Sequence, residues 1–80
     1  MKKIIASIRP FDMQQHLYVF EDGEKIDEAT VSLSDVENTV LDFINKYQIT
    51  DVDIAGPKQF NQKIGQGLIT KYSMVNINFI

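Results

Sequence analysis

The chain has no cysteine, which removes disulfides, thiolate nucleophiles and cysteine-based zinc sites in one step. Histidine occurs once, at His16. With no second imidazole or thiolate to share a metal, His16 reads as a polar residue at the start of a strand rather than a ligand or general base. Long hydrophobic runs are also missing. Arg9 and Pro10 cut short the apolar patch that follows Lys2 and Lys3, well before secretory-core length, and nothing later approaches a transmembrane span. A cytoplasmic protein with no membrane association is the expectation.

Positive charge is scarce where acid is dense. Residues 1–40 carry eight acids against four bases, and residues 41–80 carry three against four, for a net charge of −3. A broad nucleic-acid surface needs many cations to neutralise phosphates, so nucleic acid is a disfavoured partner. What is present is the composition of a folded domain, with 44% hydrophobic and 24% charged residues in 80 positions. That length gives one domain, of a size at which a single core is marginal and oligomerisation is a natural supplement.

Apolar residues of KKIIASIR fall on both sides of an extended segment, Ile4, Ala6 and Ile8 on one and Ile5 on the other. This predicts a central strand covered on both faces and ended by Pro10. In HLYVFEDGEKIDEATVSL, two β-rich runs flank Asp22-Gly23, a type I′ turn dipeptide. A hairpin over Gln15–Glu21 and Glu24–Leu33 is expected. SDVE from Ser34 has the spacing of a capping box, with Glu37 reaching back to the Ser34 amide. Val36, Val40, Leu41, Phe43, Ile44 and Tyr47 then form a helical stripe, predicting a helix over about Asp35–Tyr47. A strand over Thr50–Ala55 closes at Gly56, and Pro57 suits the first helical position because its missing N–H costs nothing there. Phe60, Ile64 and Leu68 give the next helix its stripe. Gly65 and Gly67 mean either that this helix caps near one of them or that it packs closely against a neighbour. After a loop around Thr70–Ser73, Val75, Ile77 and Phe79 alternate with Asn76 and Asn78 as a half-buried edge strand.

The fold class is therefore α/β, a single small domain over residues 1–80 in the order β-β-β-α-β-α-β, with a mixed five-stranded sheet ordered 3-2-1-4-5. This succession resembles the ribonuclease H-like fold over nearly the whole chain, by element order. The nucleases of that fold hold two metal ions with an acid in the first strand, one in the first helix and one at the end of the fourth strand. Here Ser7 or Arg9 stands at the first position and Ala55-Gly56 at the third. Asp51 and Asp53 lie at the beginning of the fourth strand, whereas sites in such sheets form beyond the carboxyl ends. A degenerate metal-dependent nuclease would rest on Glu37 and Asp42 alone, so no metal, cofactor or catalytic residue is assigned, and the chain is not read as an enzyme.

Two binding readings remain. The first is a protein-interaction module, an inhibitor or accessory factor, using the acidic hairpin (Glu24, Asp27, Glu28) or a sheet edge, with homodimerisation through an edge strand as one form of it. Tyr18 and Phe20 alternate with Leu17 and Val19, so one pair faces away from the core. Burial of Tyr18 and Phe20 beneath a helix is the ordinary outcome; exposure would make an aromatic face for a partner. The second reading is a nucleotide or phosphate-ligand site. If the first and fourth strands are parallel neighbours, Arg9 ends beside Gly56, and Arg9, Lys58 and the amides of Lys58 and Gln59 can meet an anion. No Walker loop, dinucleotide fingerprint or nucleophile elbow accompanies it.

Overall fold

The computed structural model describes residues 1–9, 11–71 and 75–80, without the side chains of residues 59–61 and 69–71. The expected strands and helices appear in the expected order, with one unexpected 3-10 turn before the first helix: β1 (Lys2–Ser7), β2 (Gln15–Glu21), β3 (Glu24–Val31), the 3-10 turn (Leu33–Asp35), α1 (Val36–Tyr47), β4 (Asp51–Ala55), α2 (Lys58–Lys71) and β5 (Asn76–Phe79). The sheet order is β3-β2-β1-β4-β5. β2 runs antiparallel to both β1 and β3, while β4 runs parallel to both β1 and β5.

The hairpin closes where Asp22-Gly23 predicts. Both residues have positive φ, 51° and 86°, as a type I′ turn demands, and Glu21 pairs directly with Glu24. The register shifts between Val19 and Phe20, whose partners are Asp27 and Lys25. Ile26 is therefore the extra residue of a β-bulge.

The sheet is covered on one face, which corrects the expectation that β1 is sandwiched. Ile4, Ala6 and Ile8 of the first strand segment join Leu17, Val19, Val52 and Ile54 in one buried cluster with Val36, Val40, Phe43 and Ile44 of α1 and Leu68 of α2. Each buried Val, Leu, Ile or Phe side chain among them contributes roughly 1.5–3 kcal/mol when fully buried. The alternate residues, Lys3, Ile5 and Ser7, lie on the opposite face. The reason is topological: the β3-α1-β4 and β4-α2-β5 crossovers step across the sheet in the same direction, and crossovers of the usual right-handed sense then lay both helices on the same side.

The start of α1 differs from the expected capping box. The 3-10 turn intervenes, the helix begins at Val36, and neither Ser32 nor Asp35 at the cap positions makes a side-chain capping bond. Ser32 Oγ instead donates to Asp35 Oδ2 at 3.0 Å and lies 3.1 Å from Ser34 Oγ. These short polar side chains bond one another across the tight turn, an alternative to the backbone that such residues commonly offer.

α2 begins one residue after Pro57 and continues through both glycines to Lys71, so neither glycine is a cap. Close packing is the explanation that holds. A Cβ at Gly65 would stand 2.7 Å from the Phe79 ring, and one at Gly67 would stand 2.6 Å from the Glu37 carboxylate. The remainder of the expected Thr70–Ser73 loop, and the Phe60 side chain, lie outside the described residues. Because a Cβ at Gly65 meets the Phe79 ring and Ile77, while one at Gly67 meets the far end of the Glu37 side chain, the two glycines should respond differently to alanine. Gly65→Ala is expected to cost about 1–2 kcal/mol through overpacking, and Gly67→Ala to stay within roughly 1 kcal/mol of the parent as helix propensity offsets the shift. Urea denaturation of the two variants measures both, and equal effects would count against this packing.

Candidate functional site

The carboxyl ends of β1 and β4 lie side by side. Ser7 pairs with Ala55, and the Ile8 amide donates to the Ala55 carbonyl at 2.7 Å. The strand pairing on which the anion reading depends is thus present. Arg9 and Gly56 leave the sheet at this shared end, with exposed Lys58 opening α2. Gly56 has φ +149°, a conformation that favours glycine. The Gln59 side chain lies outside the described residues.

One residue organises the connection that leaves this edge. Gln15, the first residue of β2, is fully buried although polar. Its Oε1 accepts from the Arg9 amide, and its Nε2 donates to the Arg9 carbonyl at 2.7 Å and the Asp12 carbonyl at 3.1 Å. The Asp12 amide closes the turn by donating to the Arg9 carbonyl at 3.0 Å. A buried amide with several backbone partners meets the requirement that interior polar groups be bonded, and it fixes the start and middle of the connection. Held outward on this clamped turn are Phe11, 100% exposed, and Met13, 92% exposed. Met13 also borders a shallow depression of ≈ 530 Å³ with Asp12, Gln14, His16 and Ser32.

The sequence assigns this segment to no element; its signal is Phe11 and Met13 alternating with Asp12 and Gln14 just after Pro10, apolar residues that no helical or strand stripe buries.

Tyr18 and Phe20 do not lie beneath a helix, contrary to the ordinary outcome. Leu17 and Val19 take the core positions, so Tyr18 and Phe20 occupy the helix-free face, each half-buried by its neighbours. The register there sets Glu28, Tyr18, Ile5, Asp53 and Asn78 in one row and Lys25, Phe20, Lys3, Asp51 and Asn76 in the next. The rows are cross-linked. Lys3 Nζ lies 3.4 Å from Asp53 Oδ2, Asn78 donates to Asp53 Oδ1 at 3.1 Å, and Asn76 donates to Asp51 Oδ1 at 3.3 Å. Lys25 lies 5.9 Å from the centre of the Tyr18 ring, and His16 stacks on Tyr18 at 6.4 Å. Asp51 and Asp53 are thus parts of a polar ladder on a sheet face. Among the described residues, no three His, Asp or Glu side chains converge as a metal site would require.

The acidic hairpin is less uniform than its sequence. Glu24 is exposed, and Glu28 pairs with Lys25 at 3.3 Å. Asp27 faces the helix layer, where the Tyr47 hydroxyl donates to its Oδ2 at 2.6 Å. That bond, followed by the Glu28 amide donating at 2.8 Å and the charge of Lys46, holds the Asp27 carboxyl below the usual carboxylate range. Asp27 therefore ties the end of α1 to the edge strand and is not the free partner contact that its sequence position suggested.

No family model and no curated protein sequence matches the chain. Among solved structures, a Bacteroides thetaiotaomicron protein with an actin-like ATPase fold and unknown function is similar, with a TM-score of 0.75 at 15% identity over 99% of this chain. The chain spans 32% of that protein's length. At this identity the likeness concerns the fold, and it agrees with the ribonuclease H-like order of elements. Among the described residues no helix is long and apolar enough to cross a membrane.

The Gln15 clamp has a direct test. Gln15→Leu leaves the Arg9 amide and the Arg9 and Asp12 carbonyls without their side-chain partner, at an expected cost of about 2–3 kcal/mol, together with faster hydrogen exchange of the loop amides. Unchanged exchange at residues 9–14 would show that the loop is held by something else.

Proposed function

We propose that the protein acts as a non-catalytic protein-interaction module whose principal contact is the loop carrying Phe11 and Met13. The observation behind this reading is the combination of two solvent-exposed apolar side chains with a turn clamped by the buried Gln15 amide. Single exposed apolar residues are common on protein surfaces. A large aromatic and a methionine presented together above a backbone clamped by Gln15 have the character of binding anchors: the backbone that carries them is already held, and they fill a complementary apolar pocket. The half-exposed Tyr18 and Phe20 run along β2 away from this loop toward the hairpin, where Glu24 and Glu28 supply negative charge for a basic partner. An inhibitor or accessory factor fits this description.

With a partner isolated by affinity capture, the Phe11→Ser/Met13→Ser double variant should weaken binding by about 2 kcal/mol or more, roughly 30-fold, as loss of a central anchor does. The charge reversals Glu24→Lys and Glu28→Lys should mainly slow association. Full affinity in the double variant with loss in the charge reversals would move the contact to the hairpin.

A second reading is favoured by the Ile8–Ala55 bond, which brings the Arg9 and Gly56 strand ends together. There Arg9, Lys58 and the first amides of α2 are suited to a nucleotide or other phosphate-bearing ligand. Titration with inorganic phosphate and with a nucleotide should then shift the 56–59 amide resonances, an effect that Arg9→Ala abolishes. Spectra unchanged at millimolar ligand dismiss this reading and leave the first untouched.

A further inference from the structure

The two edges of the sheet are defended differently. β3 carries Glu24, Lys25, Asp27 and Glu28, is bulged at Ile26, and is tied back to α1 through Asp27 and Tyr47. Such charges and bulges are the usual devices that stop an edge from pairing with another strand. β5 has none of them. Its residues, Asn76, Ile77, Asn78 and Phe79, are uncharged and without proline, Ile80 follows, and among the described residues no strand lies beyond it.

The pairing with β4 decides which backbone groups this edge presents. The Asn76 amide donates to the Thr50 carbonyl at 2.9 Å, and the Ile80 amide donates to the Ile54 carbonyl at 3.0 Å. Along a parallel strand, the amide and carbonyl of one residue point to the same side, and successive residues alternate. Asn76, Asn78 and Ile80 therefore bond toward β4. Ile77 and Phe79 turn both their N–H and their C=O groups outward.

We propose that two copies of this chain pair antiparallel along β5, about a twofold axis at Asn78, joining their sheets into one. The two outward residues are separated by one position, so this register is self-complementary. Ile77 of each copy exchanges both backbone hydrogen bonds with Phe79 of the other, and within Asn76–Phe79 no outward amide or carbonyl is left over. On the helix face each Ile77 side chain meets the Phe79 ring of the other copy, covering a ring that is 49% exposed in the single chain. On the opposite face Asn78 meets Asn78 in a non-hydrogen-bonded pair. There the Nδ2 hydrogen not used on Asp53, together with Oδ1, is available to the other copy. The net charge of −3 per chain does not oppose the contact locally, because the paired strand is neutral. The interface is isologous and uses up its own edge, while β3 is blocked, so assembly stops at two copies instead of growing into a filament.

Sedimentation equilibrium of the purified chain from micromolar to millimolar concentration, combined with amide hydrogen exchange, tests this assembly. The mass is expected to rise from one chain to two. The Ile77 and Phe79 amides should become protected with concentration, while those of Asn76 and Asn78 stay constant. Asn78→Lys places like charges opposite each other on the axis while its ammonium meets Asp53 within each chain. It should keep the fold, read by core amide protection, and weaken self-association at least tenfold. Glu24→Lys on the other edge should change nothing. A single-chain mass at millimolar concentration overturns the proposal, as does an Asn78→Lys variant that associates like the parent, or association abolished by Glu24→Lys.

Discussion

The difference between the two faces of the sheet follows from the direction in which the two crossovers step. α1 carries the chain from the β3 edge past β2 and β1 to β4, and α2 carries it one strand further the same way. With right-handed crossovers both helices must land on one side of the sheet. The hydrophobic stripes of both helices then meet a single apolar face, and one core of Ile4, Ala6, Leu17, Val19, Val52 and Ile54 against Val36, Val40, Phe43 and Leu68 is enough. Among the described residues, no helix covers the other face. Its residues satisfy each other instead, in a ladder of Lys3, Asp53, Asn78, Asp51 and Asn76 with aromatic rings beside it.

A two-layer domain of this size has little core to spare, and polar side chains fasten its margins. Gln15 binds the β1–β2 connection from within. Tyr47 fastens the edge strand β3 to the end of α1 through Asp27. The depressed Asp27 pKa makes that tie pH-dependent: its contribution is present above the pKa an unfolded aspartate has and is lost as pH falls through the lower folded value. Gly65 and Gly67 let α2 approach β5 and α1 more closely than any side chain would permit. The loop that carries Phe11 and Met13 and the β5 edge are thus borne by a framework fastened at these points.

The likeness to a much longer protein with an actin-like ATPase fold places this chain among sheets of that topology without lending it an activity. Its own residues carry the argument. Where nucleases of the ribonuclease H-like fold hold acids at the first and fourth strand ends, this chain has Ser7 or Arg9 and Ala55-Gly56. Asp51 and Asp53 sit at the opposite end of β4, in contact with asparagines and a lysine.

Local chemistry wrote much of this fold into the sequence. Asp22-Gly23 set the turn because positive φ at both positions is cheap there. Helical and alternating periodicity set the strands and α1 to within a residue or two, while leaving the 3-10 turn unseen and the end of α2 open, and element order with short connections set the 3-2-1-4-5 sheet. Other features awaited the assembled chain, because they depend on what stands opposite. Ser34 could not be seen to lose its capping role until a 3-10 turn brought Ser32 and Asp35 to each other. Tyr18 and Phe20 could be placed on the open face only once both helices shared the other. Asp27, one acid among several in the hairpin, became a tether only when Tyr47 reached it across the layer. The same holds for Gln15, whose side chain found its partners in the turn that its own burial stabilises. Periodicity reports which side of an element is apolar; whether anything covers the remaining side is decided by contacts between residues far apart in the chain.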